Sequence, residues 1–507
     1  MNTMNDKSIT SNSECLTRKT ANKAADVEDG VDLEELMSDY ESDNGWNLKA
    51  ILYCCLSFTA ADISYSMIVP FVPSSAKERG LTTSMTGCIF AIFQLCNFIT
   101  CFLIPKINMK YGGVKILRIC NFGQAVTTAC LALTTMIGHK NSYFAVMVLL
   151  RGLQGIFAAG SEVSAGGISV RSVPREMVGE ALAYVELARM IGIILGPIVG
   201  GVMFQTIGYA APFLLMAAIL GGLSAAMIFF PIDKRVDNKD EQVDKSDQGK
   251  LLMSPVVQIL ILVVVSISAA VAFLDPLLEN FMTQEPYFLD NLEVGAVYSS
   301  FTVTFGLTGA ISGLITKKIG SVPAIFLATT INGLAYNIIA PPQTLKGPLT
   351  LFSFLHQSSR GGAIGLAVSA ILLIGISAGI GMVPGTELMF AEGEFLGHSV
   401  EKTSDNVAMI MDVSFSLGCA IGPFISGSIV QGFDFSRACA LFGICVLLFG
   451  IVASTVLGII FHRRKAAQSS DTHTDSTDLA TPLIERESDS PQRSRRTDST
   501  YRALERT

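Results

Sequence analysis

Charge is the first thing this chain is short of. Asp, Glu, Lys and Arg make up 16% of 507 residues, where a soluble chain carries about 25%. Half of the residues are hydrophobic and mean hydropathy is +0.49, so an ordinary soluble multidomain protein is excluded and a polytopic membrane protein is indicated. Histidine is scarce too: His139, His356, His398, His462 and His473 fall in predicted loops, span ends or a tail, without metal-ligand spacing. A glycine-rich phosphate loop is missing, which argues against direct use of ATP, and no enzyme site is visible. No Asn-x-Ser/Thr sequon occurs, so a glycosylated loop is not expected. The 11 cysteines outline no disulfide framework; all but Cys15 sit in or beside apolar runs, as small hydrophobes. No cofactor, metal or nucleic-acid partner is expected. The first 45 residues are polar, so no cleavable signal peptide is expected and the first span would act as the insertion signal.

What the chain has is apolar runs. A run of about 20 residues crosses the hydrocarbon core as a helix, which satisfies its own backbone groups there. Twelve are predicted: 48–72, 83–105, 114–137, 143–170, 177–203, 209–230, 254–282, 292–316, 321–340, 363–390, 404–431 and 436–461. The fold class expected is therefore an all-α membrane protein of twelve transmembrane helices in two six-helix pseudo-repeats. Its parts would be a disordered acidic tail (1–46), a six-helix half (47–232), a cytoplasmic linker (233–252), a second half (253–463) and a disordered C-terminal tail (464–507). Lys106, Lys110, Lys115, Arg118, Arg171, Arg175, Lys317, Lys318 and "HRRK" (His462–Lys465) outnumber Lys77, Arg79, Lys140, Lys346 and Arg360 on the alternate loops. By the positive-inside rule both termini face the cytoplasm.

The halves repeat. "GIILGPIVGG" (Gly192–Gly201) in the fifth span and "GCAIGPFISG" (Gly418–Gly427) in the eleventh share Gly, then Gly-Pro, then Gly four residues after the proline. Gly192, Gly196, Pro197, Gly200 and Gly201 stand against Gly418, Gly422, Pro423 and Gly427. Small residues at that spacing allow close helix approach, and the proline bends the helix. The loops "MKYGG" (Met109–Gly113) and "GLITKKIGS" (Gly313–Ser321) repeat as well. Paired halves of this kind mark a transporter built from parallel repeats.

On these motifs the chain resembles the major facilitator superfamily. "RGLQGIFAAG" (Arg151–Gly160) is similar to the Arg-x-x-Gln-Gly motif of its drug:proton antiporters, which implies proton coupling through Arg151, Gln154 and Gly155. The Gly-Pro motif resembles the antiporter motif of the same group, while the loop motif is degenerate, with Lys317 in place of an acid. "MDVSFSLGCAIGP" (Met411–Pro423), "FLDP" (Phe273–Pro276), "YSMIVPFVP" (Tyr65–Pro73) and "IGYAAPF" (Ile207–Phe213) resemble the vesicular amine transporters, the solute carrier 18 family, and most of all its polyamine branch. The resemblance covers about Leu48 to Phe461. Two features depart from it: the second span offers Gln94 and Asn97 where the biogenic-amine members have Lys, and Pro384 stands where they have an acid.

Ionisable residues inside spans cost about 2.5–3.5 kcal/mol each on insertion scales and mark function or pairing. Acids at membrane depth are Asp62, Glu162, Glu186, Asp275, Glu387 and Asp412, against the bases Arg151 and Arg189. Unpaired acids suit a cationic substrate or protons. Asp412 lies six residues before Gly418, as Glu186 lies before Gly192; resemblance makes Asp412 a proton and substrate carboxylate, a structural hydrogen bond being the other possibility. Asp275 precedes a helix-breaking proline, and with Glu279 it would set two acids on one face or sit at a wet rim. Asp62 binds substrate or lines the cavity, Glu387 substitutes for the acid displaced by Pro384 or packs, and Glu186 and Arg189 neutralise each other or act on substrate. Glu162 suits a pair partner. Tyr65, Tyr184, Tyr298 and Tyr336 stack on a cation or merely pack.

The function implied is proton-coupled antiport of polyamines or monoamines, with the proton gradient as energy source, by a monomer in a vesicle or organelle membrane. A plasma-membrane exporter of organic cations and a non-transporting receptor on the same fold are the alternatives.

Overall fold

The computed structural model describes residues 46–174, 177–232, 251–339, 359–397 and 400–478. The acidic stretch Asp26–Asp43, most of the expected linker and the part of the C-terminal tail after Asp478 lie outside them. Twelve long helices form the body: α1 (Leu48–Ser66), α2 (Thr83–Cys101), α3 (Gly113–Ala132), α4 (Lys140–Arg171), α5 (Val178–Thr206), α6 (Ala210–Phe229), α7 (Pro255–Phe273), α8 (Asn291–Ile319), α9 (Ser321–Ile339), α10 (Arg360–Phe395), α11 (Val400–Gly432) and α12 (Phe435–Asp478). Eleven are long and apolar enough to cross a membrane. The twelfth, α1, falls short because Ser57, Thr59, Asp62, Ser64 and Ser66 dilute its apolar run. The end of the bundle where α1 begins is here the terminal face, and the other the distal face.

Helix ends follow local chemistry. At the distal face the Thr82 hydroxyl accepts from the Met85 amide to start α2, and Asp290 and Glu293 form a reciprocal capping box at the start of α8. At the terminal face Gly112 (φ 90°) joins the short helix Ile104–Tyr111 to α3, and Gly320 (φ 89°) joins α8 to α9. Both occupy the left-handed region that favours glycine, so the two repeated loop sequences make the same turn.

Two expected spans end early. α1 stops at Ser66, turns ahead of Pro70 and resumes as the short helix Val72–Glu78; α7 stops at Phe273, turns around Pro276 and resumes as Leu278–Met282. A proline ring cannot accept its place in a helix interior without displacing the carbonyl one turn back. Pro197, Pro384 and Pro423 stay inside their helices, so a proline does not by itself end a helix; at Pro70 and Pro276 the helix breaks at matched positions of the two halves. The last helix runs past the expected boundary at 463 to Asp478, through residues such as Ala466, Ala467 and Gln468 that favour helix.

Within each half the packing repeats. α1 packs on α5, α2 and α3 on α4, and α3 on α6; α7 packs on α11, α8 and α9 on α10, and α9 on α12. Gly192 and Gly196 press against Thr59, Asp62, Ile63 and Ser66 of α1, and Gly418 and Gly422 press against Val265, Ser268, Ala269 and Phe273 of α7. The repeated Gly-Pro motif thus seats the fifth helix of each half on its first.

The halves meet along α2–α11 and α5–α8. The carbonyl of Pro423 faces Gly87 of α2, and that of Pro197 faces Gly295 of α8. Gly87 lies four residues past Thr83 and Gly295 four past Asn291, so the cross-half contact repeats too.

Candidate functional site

Two polar layers lie between the halves. In the first, Asp275 sits in the break of α7, fully buried. Its carboxylate accepts hydrogen bonds from Tyr298 of α8 at 2.6 Å and from Tyr65 of α1 at 3.0 Å. Asp275 is therefore in no wet rim: a side chain from each half holds it. Arg151 of α4 is also fully buried; its Nη1 donates to Gln154 at 2.6 Å, and Gln154 donates to Thr128 at 2.8 Å. The Arg151 Nε and Nη2 have no hydrogen-bond partner among the described residues. The guanidinium lies 4.4 Å from the Phe93 ring centre and 5.9 Å from that of Tyr65. Aromatic faces attract such a cation, and Asp275 acts on it through space. Gly155, one residue past Gln154, lets the Phe93 backbone of α2 approach closely. A cavity of about 10 Å3, room for about one water, lies beside Tyr298, Leu274 and Phe301.

The second layer is nearer the terminal face. Arg189 of α5 pairs with Asp412 of α11 at 3.2 Å and with Glu162 of α4 at 3.9 Å. Glu162 also accepts from Asn97 of α2 at 3.3 Å. Asp62 is buried beside Gly192, with Oδ2 lacking a hydrogen-bond partner among the described residues. It and the exposed Glu186 are within electrostatic reach of Arg189. Four carboxylates share one guanidinium here, an excess of acid that paired burial alone does not require. The Arg189–Asp412 pair spans the two halves.

The sequence expectations fare unevenly. Asp62, Asp412, Glu186 and Glu162 come together around Arg189. Arg189 turns to Asp412 and Glu162 rather than to Glu186 alone. Asp275 stands apart with Arg151. Glu387 joins neither layer: it accepts from Ser321 at 3.3 Å, at the terminal ends of α9 and α10. Asp275 and Glu279 share no helix face, because the chain breaks between them. Tyr336 donates to the Ala270 carbonyl and packs on Phe273 and Phe442, while Tyr184 is exposed and edges against Trp46.

Sequence reasoning missed three features. Gly87 and Gly295 needed only an alignment of the halves at the starts of α2 and α8. The phenols of Tyr65 and Tyr298 converge from different halves, which spacing does not reveal. Glu392 of α10, 2% exposed, is clasped by Arg464 of α12 at 2.6 and 3.2 Å and by Ser254 at 2.7 Å; no local pattern links residues so far apart in the chain.

Comparison with known proteins bears on this geometry. Residues 54–393 match the family described as Major Facilitator Superfamily. The chain is 23% identical to the human (Homo sapiens) MFS-type transporter SLC18B1 over 431 residues, covering 84% of this chain and 90% of the relative. It is 24% identical to the synaptic vesicular amine transporter of Mus musculus over 397 residues, covering 77% and 70%. Among solved structures, the nucleoside transporter NupG aligns over 81% of this chain and 98% of its own, with a TM-score of 0.64 and 13% identity. A bacterial homolog to the human lysosomal transporter Spinster, inward-facing and unoccupied, aligns over 81% and 95%, with a TM-score of 0.61 and 12% identity. At these identities the structural likeness speaks for the fold.

Proposed function

The chain belongs to the Major Facilitator Superfamily, a multi-pass membrane transporter rather than an enzyme, and we propose that it is a proton-coupled antiporter of organic amines. The observation that carries the proposal is the layer in which Asp62, Glu162, Glu186 and Asp412 surround a single Arg189 between the halves. A cationic amine would compete with Arg189 for these carboxylates, and protons would displace the amine by neutralising them. Because Arg189 and Asp412 belong to different halves, either event loosens a cross-half tie, which is the coupling that alternating access needs.

Polyamines are the first substrate class. The two layers are set apart along the bundle: Arg151 and Glu162, both on α4, differ by a helix rise of about 16 Å. A chain of ammonium groups can address Asp275 and the terminal acids together, whereas a monoamine addresses one layer at a time. The likeness to a synaptic vesicular amine transporter supports an amine and a vesicle or organelle membrane, and the Lys and Arg bias of alternate loops supports cytoplasmic termini. The proton gradient would be the sole energy source, and one chain holds both layers, so a monomer suffices.

The test is uptake of labelled spermidine and serotonin into proteoliposomes with an acid interior. Uptake abolished by a proton ionophore and by Asp412→Asn is the expected result, with spermidine favoured. Failure of both amines, and indifference of a wider cation panel to the gradient, would overturn it in favour of a receptor on the same fold.

A further inference from the structure

The distal closure contains a carboxylate that the amine site does not use. Glu279 lies in the short helix Leu278–Met282 that follows the break in α7, and it is 1% exposed. That helix packs against Val72–Glu78, its counterpart after the break in α1, so Glu279 is buried between the halves. Both of its carboxylate oxygens lack a hydrogen-bond partner among the described residues. Ser74 of the opposite half approaches through both its hydroxyl and its backbone amide, but neither reaches hydrogen-bond geometry; the hydroxyl donates instead to the Phe71 carbonyl at 3.0 Å.

The other charges at this end are engaged elsewhere or too distant to bond. Lys77 and Glu78, both exposed, act on Glu279 only through space and with opposite sign. Arg79 lies over the rings of Tyr143 and Tyr209 and donates to the Ser75 carbonyl. Asp290 and Glu293 cap α8, and Arg360 donates to the carbonyls of Tyr287 and Phe288. Asp275, across the break, is held by its two tyrosines.

An ionised carboxylate buried without hydrogen bonds loses hydration that nothing replaces, whereas the protonated form forfeits far less. We infer that Glu279 is a proton site of the distal closure: the halves seal at this end with Glu279 protonated, and parting them exposes it to water and favours its ionisation. By linkage, acid in the distal compartment then drives closure, because the closed state binds this proton more tightly than the open one. Glu279 acts through the closure rather than on the transported ligand, and is in that sense a positioning residue. The inference needs alternating access but no particular substrate.

Hydrogen–deuterium exchange of the full chain in lipid nanodiscs, without substrate, reads the closure at amides 72–78. In wild type, after correction for intrinsic exchange, protection should rise from neutral to mildly acidic pH by up to about tenfold per pH unit, the limit for one linked proton. Glu279→Gln, which mimics the protonated form, should be protected at both pH values, and Glu279→Asp should keep the wild-type slope. An unchanged pH slope in Glu279→Gln, or a closure that opens in it at every pH, overturns the inference. Should Glu279→Gln fail to fold, a flat wild-type profile or a slope lost in Glu279→Asp overturns it as well. Since no amine is present, failure here is distinct from failure of the amine proposal.

Discussion

Gly295→Ala would place a methyl group where the two halves touch. A Cβ built on Gly295 falls 2.5 Å from the Pro197 carbonyl oxygen and 3.1 Å from its carbon. A carbon–oxygen contact of this kind relaxes near about 3.3 Å, so α5 and α8 must part by roughly 0.8 Å at that point. Both partners are backbone, and no flexible side chain can turn aside. Overpacking of this sort costs about 1–3 kcal/mol. The strain exists only while these helices touch, so it falls on the distal-closed state and shifts that equilibrium by about 5–150-fold toward opening. Gly418→Ala is the control, since it crowds α11 against α7 inside one half and burdens every state of the cycle alike. Spin-label distances between the distal ends of α5 and α8 read the equilibrium, and thermal melting reads stability. The expected result is a longer distance for Gly295→Ala, and a lower melting temperature without a longer distance for Gly418→Ala. Matching behaviour of the two variants in both assays would refute the division into between-half and within-half glycines.

Two further substitutions test the buried polar contacts. Arg464→Ala strands the buried Glu392 and should cost about 3–5 kcal/mol, while Glu392→Ala leaves Arg464, 27% exposed, able to reach water and should cost less; equal losses of melting temperature would count against this. Tyr298→Phe removes a 2.6 Å hydrogen bond to a carboxylate, about 1.5–3 kcal/mol, and should impair amine uptake more than Tyr65→Phe, whose bond is 3.0 Å and half-buried. Equal uptake by the two variants would mean that the phenols do not set the properties of Asp275.

The fold is legible in the sequence because apolar length and small-residue spacing are local. Gly192, Gly196, Gly418 and Gly422 announce close approach, and the structure supplies only the partners, α1 and α7. The breaks near Pro70 and Pro276 are half-legible: proline is visible, but Pro197, Pro384 and Pro423 show that a helix can also run through it. Sequence counts the charges well and pairs them poorly. A three-residue spacing makes Arg189 and Glu186 helical neighbours, yet tertiary packing brings Asp412 closer. Spacing likewise aligns Glu387 with a missing acid, and it instead meets Ser321 at a helix end. Pairings across hundreds of residues leave no periodic trace, and those are the ones that join the halves.

The repeat in the scaffold makes the lack of repeat in the charges informative. Both arginines at membrane depth belong to the first half, and the carboxylates they meet across the divide, Asp275 and Asp412, belong to the second. Parting the halves would therefore separate opposite charges in two places, and in the proposed cycle an entering cation would find Asp275 and Asp412 with their counter-charges withdrawn. Asp412→Asn distinguishes this arrangement from a merely structural pair. Asp412 is 39% exposed and Arg189 keeps Glu162 at 3.9 Å, so the loss of stability should stay below about 1 kcal/mol. Gradient-driven uptake should nevertheless fall to background, because in the proposed antiport Asp412 is the carboxylate that changes hands between Arg189, amine and proton. A large drop in melting temperature with uptake falling only in proportion to folded protein would make Asp412 a strut. An unchanged melting temperature with uptake intact would remove it from the cycle altogether.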